Sequence, residues 1–327
     1  MASILKLPDI WRVIRELDLA SIRRDAEGRF RLVILSEKDA DAEAVVSLLS
    51  GGPAHPWLEV RAPSELATGR EEDGMTITAV LAITDQPALT PAGDTAIQRL
   101  ARAGVPVVTV VHGSGRPVDA VARAGETMRT LVPALDDAAL APIAAALVGA
   151  VPLSLRLALA RQLPPLRDAV FDLLIDETAK ANATYAFTTA VAEAVPILDV
   201  PLNLADILVL TKNQLLMGYK IALGAGKSGR ARDVIGEVVG VVGGGFLFRQ
   251  AARQLVGLIP VAGLIPKVAI AYTGTWAIGR AVVVWATQGR RVSPATLRRL
   301  SRDAAGRGRA FARGLLSARS SRSASAK

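Results

Sequence analysis

Two apolar, β-branched runs, at 76–84 (TITAVLAIT) and 105–111 (VPVVTVV), constrain this chain more than any other feature. Each has the length of a strand buried on both faces, and neither alternates polar with apolar residues as a half-solvated strand does. A helical stretch at 94–103, stopped by Gly104, joins them. Strand, helix, strand in that order requires a parallel sheet with right-handed crossovers. A further strand is expected at 29–36 (RFRLVILS), with a helix at 42–49 ending at Gly51-Gly52. These elements define an α/β domain at 25–135. An N-terminal amphipathic helix within 1–24 precedes it, with Ile10, Trp11, Ile14 and Leu17 on one side.

From about residue 136 the strand signals vanish. Residues 138–155 carry no charge but are interrupted by Pro142 and Pro152. Helices are expected at 166–195, at 202–223 (ending at Gly224 and Gly226), at 234–258 and at 268–287. The third contains Gly243-Gly244-Gly245, which suits close approach of a neighbouring helix or a helix break. The expected fold is therefore α/β followed by an all-α, glycine-rich helical domain at 136–289. Hydrophobic residues make up 51% of the chain and aromatics only 4%, so the apolar weight is aliphatic. With a mean hydropathy of +0.34, this points to buried helices or membrane contact. The opening MASILKLPDI has no apolar signal core, so a chain kept on the cytoplasmic side is the expectation.

The chemistry-bearing motifs argue against catalysis. The first βα turn of a nucleotide-binding α/β domain needs glycines, a lysine and a hydroxyl around the phosphates. Here it reads Ser36-Glu37-Lys38-Asp39-Ala40-Asp41, with no glycine and three acids that repel a triphosphate. The strand at 105–111 leads into His112-Gly113-Ser114-Gly115-Arg116, which is not a guanine-reading loop. Gly224-Ala225-Gly226-Lys227-Ser228 imitates the end of a phosphate loop. The full spacing, however, demands glycine at 221, where Ile stands, and the segment follows a helix rather than a strand. It is expected to be a helix-stopping turn. Zero cysteines exclude disulfides, thiolate-bound zinc and thiol catalysis. Two histidines, His55 in a proline-rich turn and His112 at a strand end, cannot form a metal cluster by themselves. Asp172, Asp176 and Glu177 read as a solvated helix face, Asp176 standing four residues before Lys180. No catalytic residue, cofactor, metal or small-molecule substrate is expected.

Polar groups inside the apolar helix at 202–223 are more telling, because buried polar groups must be hydrogen-bonded or paired. Asp206, Lys212 and Asn213 are candidates for a buried polar seam between packed helices; Asp206 and Asn213 share a face and Lys212 points elsewhere. The segments 210–214 (LTKNQ), 239–250 (VGVVGGGFLFRQ), 256–260 (VGLIP) and 267–280 (KVAIAYTGTWAIGR) resemble domain-of-unknown-function family 697. The resemblance covers roughly 160–289 and implies a helical, membrane-associated module with a GTPase-like companion. Residues 25–135 then look like a degenerate form of that companion, one that has lost its phosphate loop. The family implies no catalytic residues at these positions.

The net charge of +9 belongs to the tail. Residues 290–327 hold eleven Arg/Lys and one acid, a net of +10, which leaves −1 for the rest. Ser293-Pro294 is a helix start. Beyond it Leu297, Leu300, Ala304, Phe311 and Leu315 recur at helical spacing. With Arg298, Arg299, Arg302, Arg307, Arg309 and Arg313 alongside, this basic tail is expected to lie on an anionic membrane surface. Uncharged stretches of only 13 residues (254–266) and 12 (268–279) favour peripheral or re-entrant association over a plain multi-span bundle. The expected function is a non-enzymatic, membrane-associated scaffold or adaptor whose α/β domain binds a protein partner without nucleotide. The rival readings are a nucleotide switch with an unorthodox site, and nucleic-acid binding through the tail. Few aromatics and no basic patch elsewhere disfavour the second.

Overall fold

The computed structural model describes residues 18–66, 76–86, 89–113, 121–192, 204–242, 264–290 and 292–325. The chain divides into two compact units, Arg23–Val170 and one that contains Phe171–Lys327. A short helix, α1 (Leu19–Ala26), lies at the start of the described chain.

The first unit is built on five parallel strands: β1 (Leu32–Leu35), β2 (Leu58–Arg61), β3 (Ala79–Thr84), β4 (Val107–His112) and β5 (Met128–Val132). Their spatial order is β2-β1-β3-β4-β5, with Leu32 in register with both Leu58 and Ala79. Successive side chains on a strand point to opposite faces, and the two faces bury different cores. Leu32, Ile34, Leu81 and Ile83 meet α2 (Asp39–Ser50) through Val45 and Leu49. Val33, Leu35, Val80 and Ala82 meet α3 (Pro91–Arg102) through Ala96, Ile97 and Leu100. Thr90 caps α3 by accepting the Gly93 N–H at 3.3 Å, and Pro91 supplies its first residue. Gly51, at φ +72°, closes α2 in the left-handed conformation that glycine adopts without strain.

The helices α4 (Leu140–Ala150) and α5 (Leu153–Gln162) also pack on this sheet. Ile143, Leu147, Leu159, Leu163 and Leu166 share the core of Leu32 and Leu81. The first unit therefore reaches beyond the boundary at 135 that the sequence suggests. A continuous apolar helix pattern does not reveal which surface the helix covers.

In the second unit the described elements are helices: α6 (Arg167–Ala192), which starts in the first unit, α7 (Leu204–Gly224), α8 (Ala231–Val242), α9 (Leu264–Gln288) and α10 (Pro294–Ser325). After α7, Gly226 takes φ +94°, and the Lys227 N–H donates to the Ala222 carbonyl at 2.9 Å. The pentapeptide that imitates a phosphate loop is thus a helix cap of the Schellman type. The triple glycine at 243–245 and the amphipathic stretch through residue 17 lie outside the described residues.

Within α9, Lys267–Gln288 is the one described helix long and apolar enough to cross a membrane by length and composition. Its mean hydropathy is 1.3, and 78% of its most apolar window is buried within the protein. Arg280 interrupts its apolar run and is accommodated by Asp172, whose Oδ1 receives the guanidinium at 2.6 Å, and by the Trp276 ring 4.9 Å away.

Candidate functional site

Chemistry-bearing side chains converge at two places, one in each unit. In the first unit the place is where the strand order reverses. The crossovers from β1 and β3 leave the sheet in opposite directions, which opens a crevice at their carboxyl ends, the usual ligand position of a doubly wound sheet. Ser36, Glu37, Lys38, Asp41, Asp85 and Thr90 are among its lining residues. Its volume is about 60 Å³, a fraction of the roughly 300–1,000 Å³ of small-molecule pockets.

The crevice is filled by its own pairings. Lys38 Nζ reaches Asp85 Oδ2 at 2.6 Å. That hydrogen bond holds the lysine above its ordinary value and the aspartate below its own. Thr90 Oγ1 donates to Glu37 Oε1. Ser36 Oγ folds onto the turn, donating to the Lys38 carbonyl at 2.9 Å and accepting the Lys38 N–H at 3.1 Å. His112, the last residue of β4, lies 3.0 Å from Asp41 Oδ2 through Nε2. The serine and lysine that a phosphate loop would aim at phosphates are both engaged by protein groups. Asp39 and Asp41 occupy the first turn of α2, where they complement the helix dipole. Among the described residues no group of three or more His, Asp or Glu is arranged to hold a metal ion.

The second place is a polar network inside the helical unit. Asn182 of α6, completely buried, donates from Nδ2 to Thr275 Oγ1 of α9 at 2.8 Å. Its Oδ1 accepts from Asn213 Nδ2 of α7 at 2.7 Å. Gln214 Nε2 donates to the same Thr275 oxygen at 3.1 Å. Three helices are thus joined by amides and one hydroxyl. Asn213 is the residue of the expected seam that takes part. Lys212 is half-buried and outside these bonds, and the side chain of Asp206 lies outside the described residues. Asn182, Gln214 and Thr275 were not singled out by sequence. Asn182 sits in ANATYAF, where an isolated amide among Ala and Thr resembles a solvated helix position.

The carboxylates of α6 are engaged next to this network. Asp176 Oδ2 meets Lys180 at 2.6 Å and its Oδ1 accepts the Tyr272 hydroxyl at 2.7 Å. This is the helix-face pairing expected of them, extended to a neighbouring helix.

The tail forms one continuous helix. Ser293 Oγ accepts the Thr296 N–H at 3.1 Å and so caps α10, which runs unbroken through Gly306 and Gly308. Leu297, Ser301, Ala304, Ala305 and Ala312 are buried. Gly308 sits so close to α9 that a Cβ there would lie 2.9 Å from the Ala269 carbonyl oxygen. Phe311 packs on Tyr272 with ring centroids 5.8 Å apart. The apolar stripe expected to enter a headgroup layer is therefore occupied by α9. Arg298, Arg299, Arg302, Arg307, Arg309 and Arg313 are exposed, and Arg307 lies 5.6 Å over Trp276.

Comparison of the chain with protein-family models and with curated proteins finds no match.

Proposed function

We propose that the protein is a non-enzymatic scaffold or adaptor that associates with an anionic membrane surface on the cytoplasmic side, and that its α/β unit is a nucleotide-independent protein-binding module. The observation that carries the reading is the first βα turn. It has no glycine, Ser36 closes on its own backbone, and Lys38 is spent on Asp85. A triphosphate entering there would meet Glu37, Asp41 and Asp85 before any free cation of the turn. The basic charge gathered on α10 and the apolar length of α9 support the membrane half of the reading.

The test has two arms. Calorimetry of the purified chain with Mg²⁺ and GTP or ATP is expected to show no binding, and micromolar affinity overturns the nucleotide-independent part. Fractionation of cells, followed by high-salt and carbonate washes, is expected to find the protein in the membrane fraction and to release it with salt. Recovery wholly in the soluble fraction overturns the membrane part.

A further inference from the structure

The arginines of α10 are not scattered around the helix. Successive residues turn by about 100°, so Arg298, Arg302, Arg309 and Arg313 fall within an arc of about 60°, and their Cα atoms span about 22 Å along the axis. All four are exposed, and none of the four is held by a carboxylate among the described residues. The side of the helix that packs borders this arc: Leu297, Ser301, Ala304, Ala305, Gly308 and Ala312 are buried and lie about 20–120° round the helix from Arg298. Leu300, at the far edge of that packed side, and Leu315, within it, are half-buried, as is Leu316, which falls in the arginine arc.

An amphipathic helix ordinarily binds a bilayer with its apolar face buried in the acyl boundary. Here that face is taken, and Gly308 fixes the helix against the backbone of α9 with no room for a methyl group. What remains outward is a line of guanidiniums, each able to form paired hydrogen bonds to phosphate or carboxylate oxygens. We propose that this stripe is a docking surface for the anionic headgroups of a phospholipid bilayer, and that α10 binds them while its apolar side stays on α9. The inference rests on the membrane reading above and adds to it the mode of contact: adhesion by charge, with no insertion. Lipid is favoured over single-stranded nucleic acid because no aromatic residue accompanies the stripe to stack on bases, and duplex DNA is an outcome of the test.

The full chain is tested against vesicles of phosphatidylcholine alone and of phosphatidylcholine mixed with phosphatidylserine, and against a monolayer of the mixed lipid held at constant area. The wild type is expected to bind the mixed vesicles and not the neutral ones, to be released by salt, and to leave the monolayer pressure unchanged. A variant with Arg298→Gln, Arg302→Gln, Arg309→Gln and Arg313→Gln should lose affinity by about 10³-fold, at about one factor of five per arginine, with its thermal midpoint kept because all four side chains are exposed. If that variant, shown folded by its circular dichroism, binds as tightly as the wild type, the stripe is not the surface although the membrane reading stands. A rise in monolayer pressure on binding means that α10 leaves α9 and inserts, which overturns the docked mode. If the wild type binds neither vesicle, the membrane reading itself falls, and tight binding to duplex DNA in the same assay would transfer the stripe to nucleic acid.

Discussion

Asn182 uses both ends of its amide, donating to Thr275 and accepting from Asn213. Asn182→Leu keeps the branched shape of the side chain and removes both bonds, so it should lower the urea midpoint by an amount equivalent to about 1–3 kcal/mol. Combining it with Asn213→Leu should cost less than the two single losses added together, because one hydrogen bond is counted in both. Strict additivity would mean that the two amides do not interact. Glu126 makes a different residue-scale case. Its side chain is 3% exposed and that of Arg129 1%, and Arg129 Nε donates to Glu126 Oε2 at 2.9 Å. Burial raises the carboxyl's pKa, but the Arg129 hydrogen bonds, the Arg123 N–H and Thr109 outweigh it, and the pKa lies below the ordinary 4.5. A depressed pKa contributes stability that is present above 4.5 and lost as pH falls through the folded value. Thermal melts from neutral to acid pH should therefore lose part of their acid sensitivity in Glu126→Gln, which also takes the carboxylate charge away from the buried Arg129 guanidinium and so should lower the neutral melting temperature. An unchanged neutral melt would remove the pair from the core. Asn213 was legible because an amide in a strongly apolar helix demands a partner, whereas its partners on α6 and α9 sit in Ala- and Thr-rich stretches that offer no such contrast.

At the scale of elements, glycines that look alike in sequence do opposite work. In α10, a Cβ on Gly306 would meet nothing within 4 Å, whereas on Gly308 it would lie 2.9 Å from both the Ala269 carbonyl oxygen and Thr273 Oγ1. Gly306→Ala should therefore raise stability by about 0.5–1 kcal/mol through helix propensity. Gly308→Ala, two residues on, should lower it by about 1–3 kcal/mol because a backbone atom cannot yield. Thermal unfolding of the two variants decides the matter, and equal shifts would mean that α10 does not sit on α9. The same contrast governs what sequence alone could read. β1, β3 and β4 are buried almost throughout and appear as unbroken apolar runs. β2 (LEVR) and β5 (MRTLV) are sheet edges of four and five residues, partly polar and partly exposed, and carry no pattern that separates them from loops. The crevice between β1 and β3 was legible in composition, from the acids and the missing glycine, but the pairing of Lys38 with Asp85 across 47 residues required the fold.

At the scale of the molecule, the helical unit sorts charge and polarity by depth. The basic groups of α10 lie outside, while the network of Asn182, Asn213, Gln214 and Thr275 lies within and contains no ionisable group. Ionic strength acts on exposed charges within a Debye length, about 8 Å at physiological salt, and has little purchase on buried neutral amides. Protons likewise find nothing to titrate among those four side chains. Salt and acidity can then alter what the exterior adheres to without acting on these four side chains, whereas the Asp172–Arg280 and Asp176–Tyr272 contacts that also join α6 to α9 do respond to them. Agents that compete for amide hydrogen bonds, such as urea, address the four-residue network directly. The four side chains make a fastening that ignores the two solvent variables most apt to change from one cellular surface to another.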